Sequence, residues 1–246
     1  MSQIRLMVIV AALAVSSSCF CLAQGLCDAA FANATDRVEN APFSALRRVV
    51  SVTRHPDGTS SRREATESEA RDGKGRTYYK SEDHYWTTLV GNERVEKSEI
   101  LVRIFDPVAS TDTTWSSAQR QVKVVHWLPL TGSAASVRRA SDPFAQALVA
   151  KSDVRKLGTR TIEGVLAEGT RMTYMVPSAE ANGDKAAAVV NECWYSPELK
   201  IVLVETNEDP RNGSFIDHVE NIVRGEPEVT KYQPPPDYAV QHVRMP

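Results

Sequence analysis

Beyond its first two dozen residues the sequence has no apolar run approaching the roughly twenty residues an α-helix needs to cross a bilayer. It has little surplus of either charge: 29 Lys and Arg stand against 31 Asp and Glu. The arginines are spread along the chain, so neither nucleic acid nor an anionic membrane surface is an expected partner. Catalytic signatures are missing too. There is no Gly-x-Ser-x-Gly elbow, and Gly73-Lys74-Gly75 is too short and wrongly followed for a phosphate loop. The five histidines (His55, His84, His126, His218 and His242) include no two at i, i+3 or i+4 spacing, so no helix-borne zinc pattern exists. Glu82-Asp83-His84 gathers cation ligands, but two aromatics follow it and it reads as a hairpin end. No two of the 31 acids stand out as a glycosidase pair. The sequence predicts no enzyme, no cofactor and no metal site.

Cysteine is scarce, and its positions are informative. Two of the four, Cys19 and Cys21, fall in a segment with the layout of a secretory signal. Arg5 supplies the positive charge, Leu6 to Val15 the apolar run, and Cys21-Leu22-Ala23 a small-residue cleavage site ahead of Gln24. The alternatives are an uncleaved N-terminal anchor, or lipidation on Cys19, for which Ser16-Ser17-Ser18 is a poor lead-in. The expectation is an exported protein, periplasmic or envelope-associated, with residues 1–23 removed and no integral span left. Cys27 and Cys193 would then remain, an even count in an oxidising compartment, and they are the disulfide candidates. Two unrelated thiols are the other reading.

What the chain has in quantity is strand pattern. Residues 24–42 read as an N-terminal arm or short helix, 43–240 as one β-rich domain and 241–246 as a tail. Pro56-Asp57-Gly58 and Asp72-Gly73-Lys74-Gly75 are turn signals around polar strands, whose Arg and Glu residues suit cross-strand pairs facing water. Further strands are expected over 99–105, 111–115, 121–127, 157–162, 167–176, 186–195, 200–205 and 214–223. Ser141-Asp142-Pro143 offers an N-cap with Pro at the first helical position, predicting one short helix over 143–152. Ten or eleven strands joined mostly by short turns imply an antiparallel sheet. In Leu199 to Val204 and Arg171 to Val176 both alternating sets carry apolar residues. Sandwich packing would produce that pattern, and so would a sheet curved around a helix or cavity.

The block from Cys193-Trp194-Tyr195-Ser196-Pro197-Glu198-Leu199 through Lys200 to Val204, Ile216 to Val223 with Asn221-Ile222, Glu226-Pro227, Tyr232 and Pro234-Pro235-Pro236-Asp237-Tyr238 carries a resemblance. With Leu157-Gly158-Thr159 and Ile162-Glu163-Gly164-Val165 ahead of it, it resembles the outer-membrane lipoprotein-sorting (LolA-like) superfamily, including the LolA, LolB and RseB types. The resemblance spans residues 157–240 and is nearest to uncharacterised exported bacterial members. It implies a mainly β, α+β fold: a strongly curved antiparallel half-barrel with one or two helices over its concave face, the 143–152 helix being part of a lid. It also implies a non-catalytic envelope protein holding a lipid or acyl chain in that concavity. Trp127, Met172, Tyr174, Trp194 and Leu203, large side chains on strands, are the candidate lining. A lipidated protein is a possible cargo. The competing reading is an interaction or sensor module with a filled core, contacting another envelope protein; a hydrolase ranks behind both.

Overall fold

The computed structural model describes residues 38–88, 94–127, 151–176 and 186–244, with the side chains of 83–97 outside the description. Among the described residues twelve strands form one sheet. They are β1 (Phe43–Arg54), β2 (Ser60–Arg71), β3 (Thr77–Thr88), β4 (Arg94–Asp106), β5 (Thr111–Ser116), β6 (Gln121–His126), β7 (Asp153–Ile162), β8 (Val165–Val176), β9 (Ala187–Ser196), β10 (Ile201–Asp209), β11 (Gly213–Arg224) and β12 (Ala239–Arg244). The spatial order is β12-β6-β5-β4-β3-β2-β1-β11-β10-β9-β8-β7. A mainly β, antiparallel architecture is therefore observed, as a single sheet instead of a two-sheet sandwich.

Two features depart from the expected layout. The helix placed over 143–152 and most of the 24–42 arm lie outside the described residues; Lys151 and Ser152 form a turn and a bend. Among the described residues the one helical element is the 3₁₀ turn Val229–Tyr232. The stretch after Tyr238, read partly as a tail, forms β12, which runs parallel to β6 from Ala239↔Gln121 to Arg244↔His126. All the other strand pairings are antiparallel.

Local chemistry explains the turns. Glu163 and Gly164 both have positive φ, 48° and 73°, the two-residue hairpin geometry whose twist matches that of the flanking strands. At the β1–β2 end the Asp57 carboxylate accepts from the Thr59 N–H at 2.9 Å, while His55 N–H donates to the Thr59 carbonyl. On β2 and its neighbours Arg48 bridges to Glu64 and Glu220, and Arg171 on β8 faces Glu192 on β9. These are the solvated cross-strand pairs that the composition suggests.

The β7-to-β11 half of the sheet is rolled. With strands spaced about 4.8 Å apart, a flat sheet would hold the β7–β8 turn roughly 14 Å from β11. Instead the Asn221 N–H donates to the Glu163 carboxylate at 3.1 Å, and the Arg224 guanidinium donates to the Gly164 carbonyl at 3.0 Å. Irregular pairing at Val202/Val204, Lys156/Gly158 and Ser44/Leu46 lies in the same region, and such bulges bend strands. The buried side of β9 also changes along its length, from Val189, Asn191 and Cys193 to Trp194 and Ser196. β8 switches likewise, from Val165 and Ala167 to Met172 and Val176, whereas β10 buries one set throughout: Leu203, Glu205, Asn207 and Asp209. One core cluster gathers at the rolled end: Phe43, Ala45, Val165, Ala167, Trp194, Leu199, Leu203 and Val219. A second forms where the C-terminal segment lays Tyr232 over Ala70, Tyr78, Val102 and Ile104.

Candidate functional site

Residues opposite one another in a pairing share a face of the sheet. From the observed registers one face carries Cys193, Glu205 and Asp217, then Val49, Arg47 and Glu69, then Tyr79, Arg103 and Asp112, running from β9 across to β5. The row changes character along its length. It is sealed from β9 to β2 and open from β3 to β5.

In the sealed part the polar groups are paired. Arg47 lies 3.0 Å from the Glu69 carboxylate and 2.8 Å from that of Asp217. Burial works to lower the pKa of Arg47, but the two carboxylates overcome it and hold the guanidinium firmly charged. Burial pushes the Asp217 carboxyl above its ordinary range, with Arg47 acting against it. Beside this trio the Asn191 amide donates to Glu205 at 3.4 Å. Cys193 is disulfide-bonded, and its partner lies outside the described residues. Its Sγ is 3.2 Å from Asn191 Oδ1, a contact and not a hydrogen bond, since a disulfide sulfur carries no hydrogen. These groups restrain the fold; they do not converge on an open cleft. Among the described residues no three His, Cys, Asp or Glu side chains are grouped to hold a metal ion.

The open part has a different composition. Tyr79, Leu101 and Phe105 are 41%, 39% and 36% exposed. They share the face because Tyr79 stands opposite Arg103, Ser81 opposite Leu101 and Thr77 opposite Phe105. Phe105 stacks on Trp127, ring centroids 5.4 Å apart and planes 4° from parallel. Arg103 is held by Asp112 through a forked contact at 2.6–3.1 Å. The result is an apolar patch with a fixed cation at its centre.

Of the five candidate lining residues, Trp194 and Leu203 meet in the rolled-end cluster, and the five do not gather at one place. Met172 and Leu203 are sealed, at 1% and 0% exposure. A side chain with no accessible surface borders no void large enough for water, so a ligand reaches these two only by displacing what covers them. Trp194 lies in the rolled-end cluster, with the Arg160 guanidinium 3.8 Å from its ring centroid. Tyr174 is half-buried on β8, opposite Val189. Trp127 stands apart from these four, beside the open patch. The sequence reading missed Tyr79, Leu101 and Phe105. Leu101 and Phe105 alternate with Ile100, Val102 and Ile104, and with both sets apolar nothing in the spacing says which set faces out.

No protein-family model matches the chain, and no curated protein matches it. Solved structures do. A chain of the Pseudomonas aeruginosa MucA/MucB complex is 14% identical with a TM-score of 0.44, covering 90% of this chain and 64% of that one. This chain thus spans somewhat under two thirds of that relative's length. An uncharacterized conserved protein from Thermus thermophilus is 10% identical, TM-score 0.40, covering 90% and 99%. A putative outer membrane lipoprotein-sorting protein domain from Vibrio parahaemolyticus is 11% identical, TM-score 0.27, covering 85% and 97%.

Proposed function

We propose that this chain is an exported, non-catalytic envelope protein that binds a protein partner on the open part of its sheet face, over Tyr79, Leu101 and Phe105. One observation carries the choice of partner over an enclosed acyl chain. The other end of the same face is filled, with Met172 and Leu203 sealed and the Arg47, Glu69 and Asp217 charges buried between strands. Buried charges make poor walls for a hydrocarbon chain. An exposed aromatic and aliphatic patch around an anchored arginine has instead the composition of a protein-binding surface. The stacked Phe105–Trp127 pair favours a second reading, in which the patch takes a lipid or a lipidated protein. Export rests on the layout of residues 1–23, and with those removed Cys27 is the one cysteine left to pair with Cys193.

Native mass spectrometry of protein recovered from the periplasm without delipidation tests this reading. The expected result is a chain beginning at Gln24, carrying a Cys27–Cys193 bridge and no added mass. A bound mass lost on organic extraction would replace the partner reading with the lipid one.

A further inference from the structure

The parallel β6–β12 pairing brings together two histidines that are 116 residues apart in sequence. His126 Nε2 lies 2.9 Å from His242 Nδ1, with ring centroids 5.2 Å apart and planes at 27°. Both rings lie at the free edge of the sheet, His126 half-buried and His242 exposed. We propose that this pair is a binding site for a divalent transition metal of the Zn²⁺, Ni²⁺ or Cu²⁺ class, completed by water.

The geometry carries the proposal. Two imidazole nitrogens bound cis at about 2.0–2.1 Å from one ion stand roughly 3 Å apart for a right angle and slightly more for a tetrahedral one. The observed separation is already that distance, so an ion needs ring rotation at the edge and no backbone movement. At that distance a neutral pair hydrogen-bonds through one N–H, the donor being whichever ring holds the inner tautomer. Binding moves that hydrogen to the outer nitrogen of the donating ring, a tautomer change that leaves both imidazoles neutral and both inner lone pairs on the metal. Imidazole suits these ions better than it suits Mg²⁺ or Ca²⁺. The neighbours are Thr111 on β5 and Arg244 on β12, each opposite His126. Arg244 is a cation and opposes the ion. An ion held by one residue from each strand would tie the C-terminal strand to β6.

The test is equilibrium dialysis of the tag-free mature chain against Zn²⁺, Ni²⁺ and Cu²⁺ salts, followed by elemental analysis. Wild type is expected to take up one ion per chain. His126→Ala and His242→Ala are each expected to lose it, while His218→Ala, whose ring lies against Glu220, keeps it. Arg244→Gln should bind more tightly than wild type. A second readout covers loss of folding: metal raises the melting temperature of wild type and His218→Ala but not of the two site variants. Failure of wild type to bind, or binding retained in either site variant, overturns the proposal. Neither outcome bears on the partner patch, which lies on the opposite face of the sheet from His126.

Discussion

Arg47 is the residue on which the sealed part of the face depends. Replacing it with alanine leaves Glu69 and Asp217 buried without their counter-charge, and removing one partner of a buried pair costs about 3–5 kcal/mol. Urea denaturation of Arg47→Ala should show that loss as a lower midpoint. Tyr232 behaves differently because its hydroxyl is buried with no hydrogen-bond partner among the described residues. Tyr232→Phe removes an unsatisfied group and should raise stability by about 1 kcal/mol. Tyr232→Ala removes the ring from its cluster and should cost about 3–5 kcal/mol; thermal melts of the two variants should move in opposite directions. Gly169 is fixed by its neighbours. A Cβ there would sit 2.7 Å from the Trp194 ring and 2.9 Å from Leu157 Cβ. The sequence carries no sign of this, because Trp194 and Gly169 meet only through the β8–β9 register.

At the scale of elements, the strands with clear punctuation were legible. Pro56-Asp57-Gly58, Asp72-Gly73 and Glu163-Gly164 each mark a turn between strands, since a tight turn demands particular residues at particular positions. β12 was not legible: Ala239 to Arg244 is short, exposed and weakly alternating, and it becomes a strand only because β6 offers an unpaired edge. The metal-site logic fails in sequence for the same reason. Spacing rules detect ligands on one helix or loop, whereas His126 and His242 meet across a parallel pairing. The open patch was half legible, with Leu101 and Phe105 readable as strand residues but not as an outward set. Leu101→Glu, at a position 39% exposed, should change stability by no more than about 0.5 kcal/mol while weakening partner binding. Paired melts and binding assays on that variant separate the two effects.

For the whole molecule, ionic pairing sets the response to acid. Burial alone would raise the Asp209 carboxyl, but hydrogen bonds from the Arg211 side chain and backbone and from Asn212 leave it below its ordinary range. A depressed carboxylate stabilises the fold above its unfolded pKa near about 3.9, and that contribution is lost as pH falls through the lower folded value. Asp217, raised by burial, works the other way, its contribution diminishing as pH rises above its unfolded value. The stability difference between wild type and Asp209→Asn should therefore be full at neutral pH and shrink below about pH 4, as read from urea midpoints across that range. The central claim is that the open part of the sheet face is where this protein meets its partner. Its most direct test is a photocrosslinking amino acid placed at Leu101 or Phe105, with Ile216 on the opposite face as control, irradiated in the producing cell. The account predicts a protein adduct of one defined mass at the two patch positions and none at Ile216. Equal labelling at all three, or adducts with lipid alone, would contradict it.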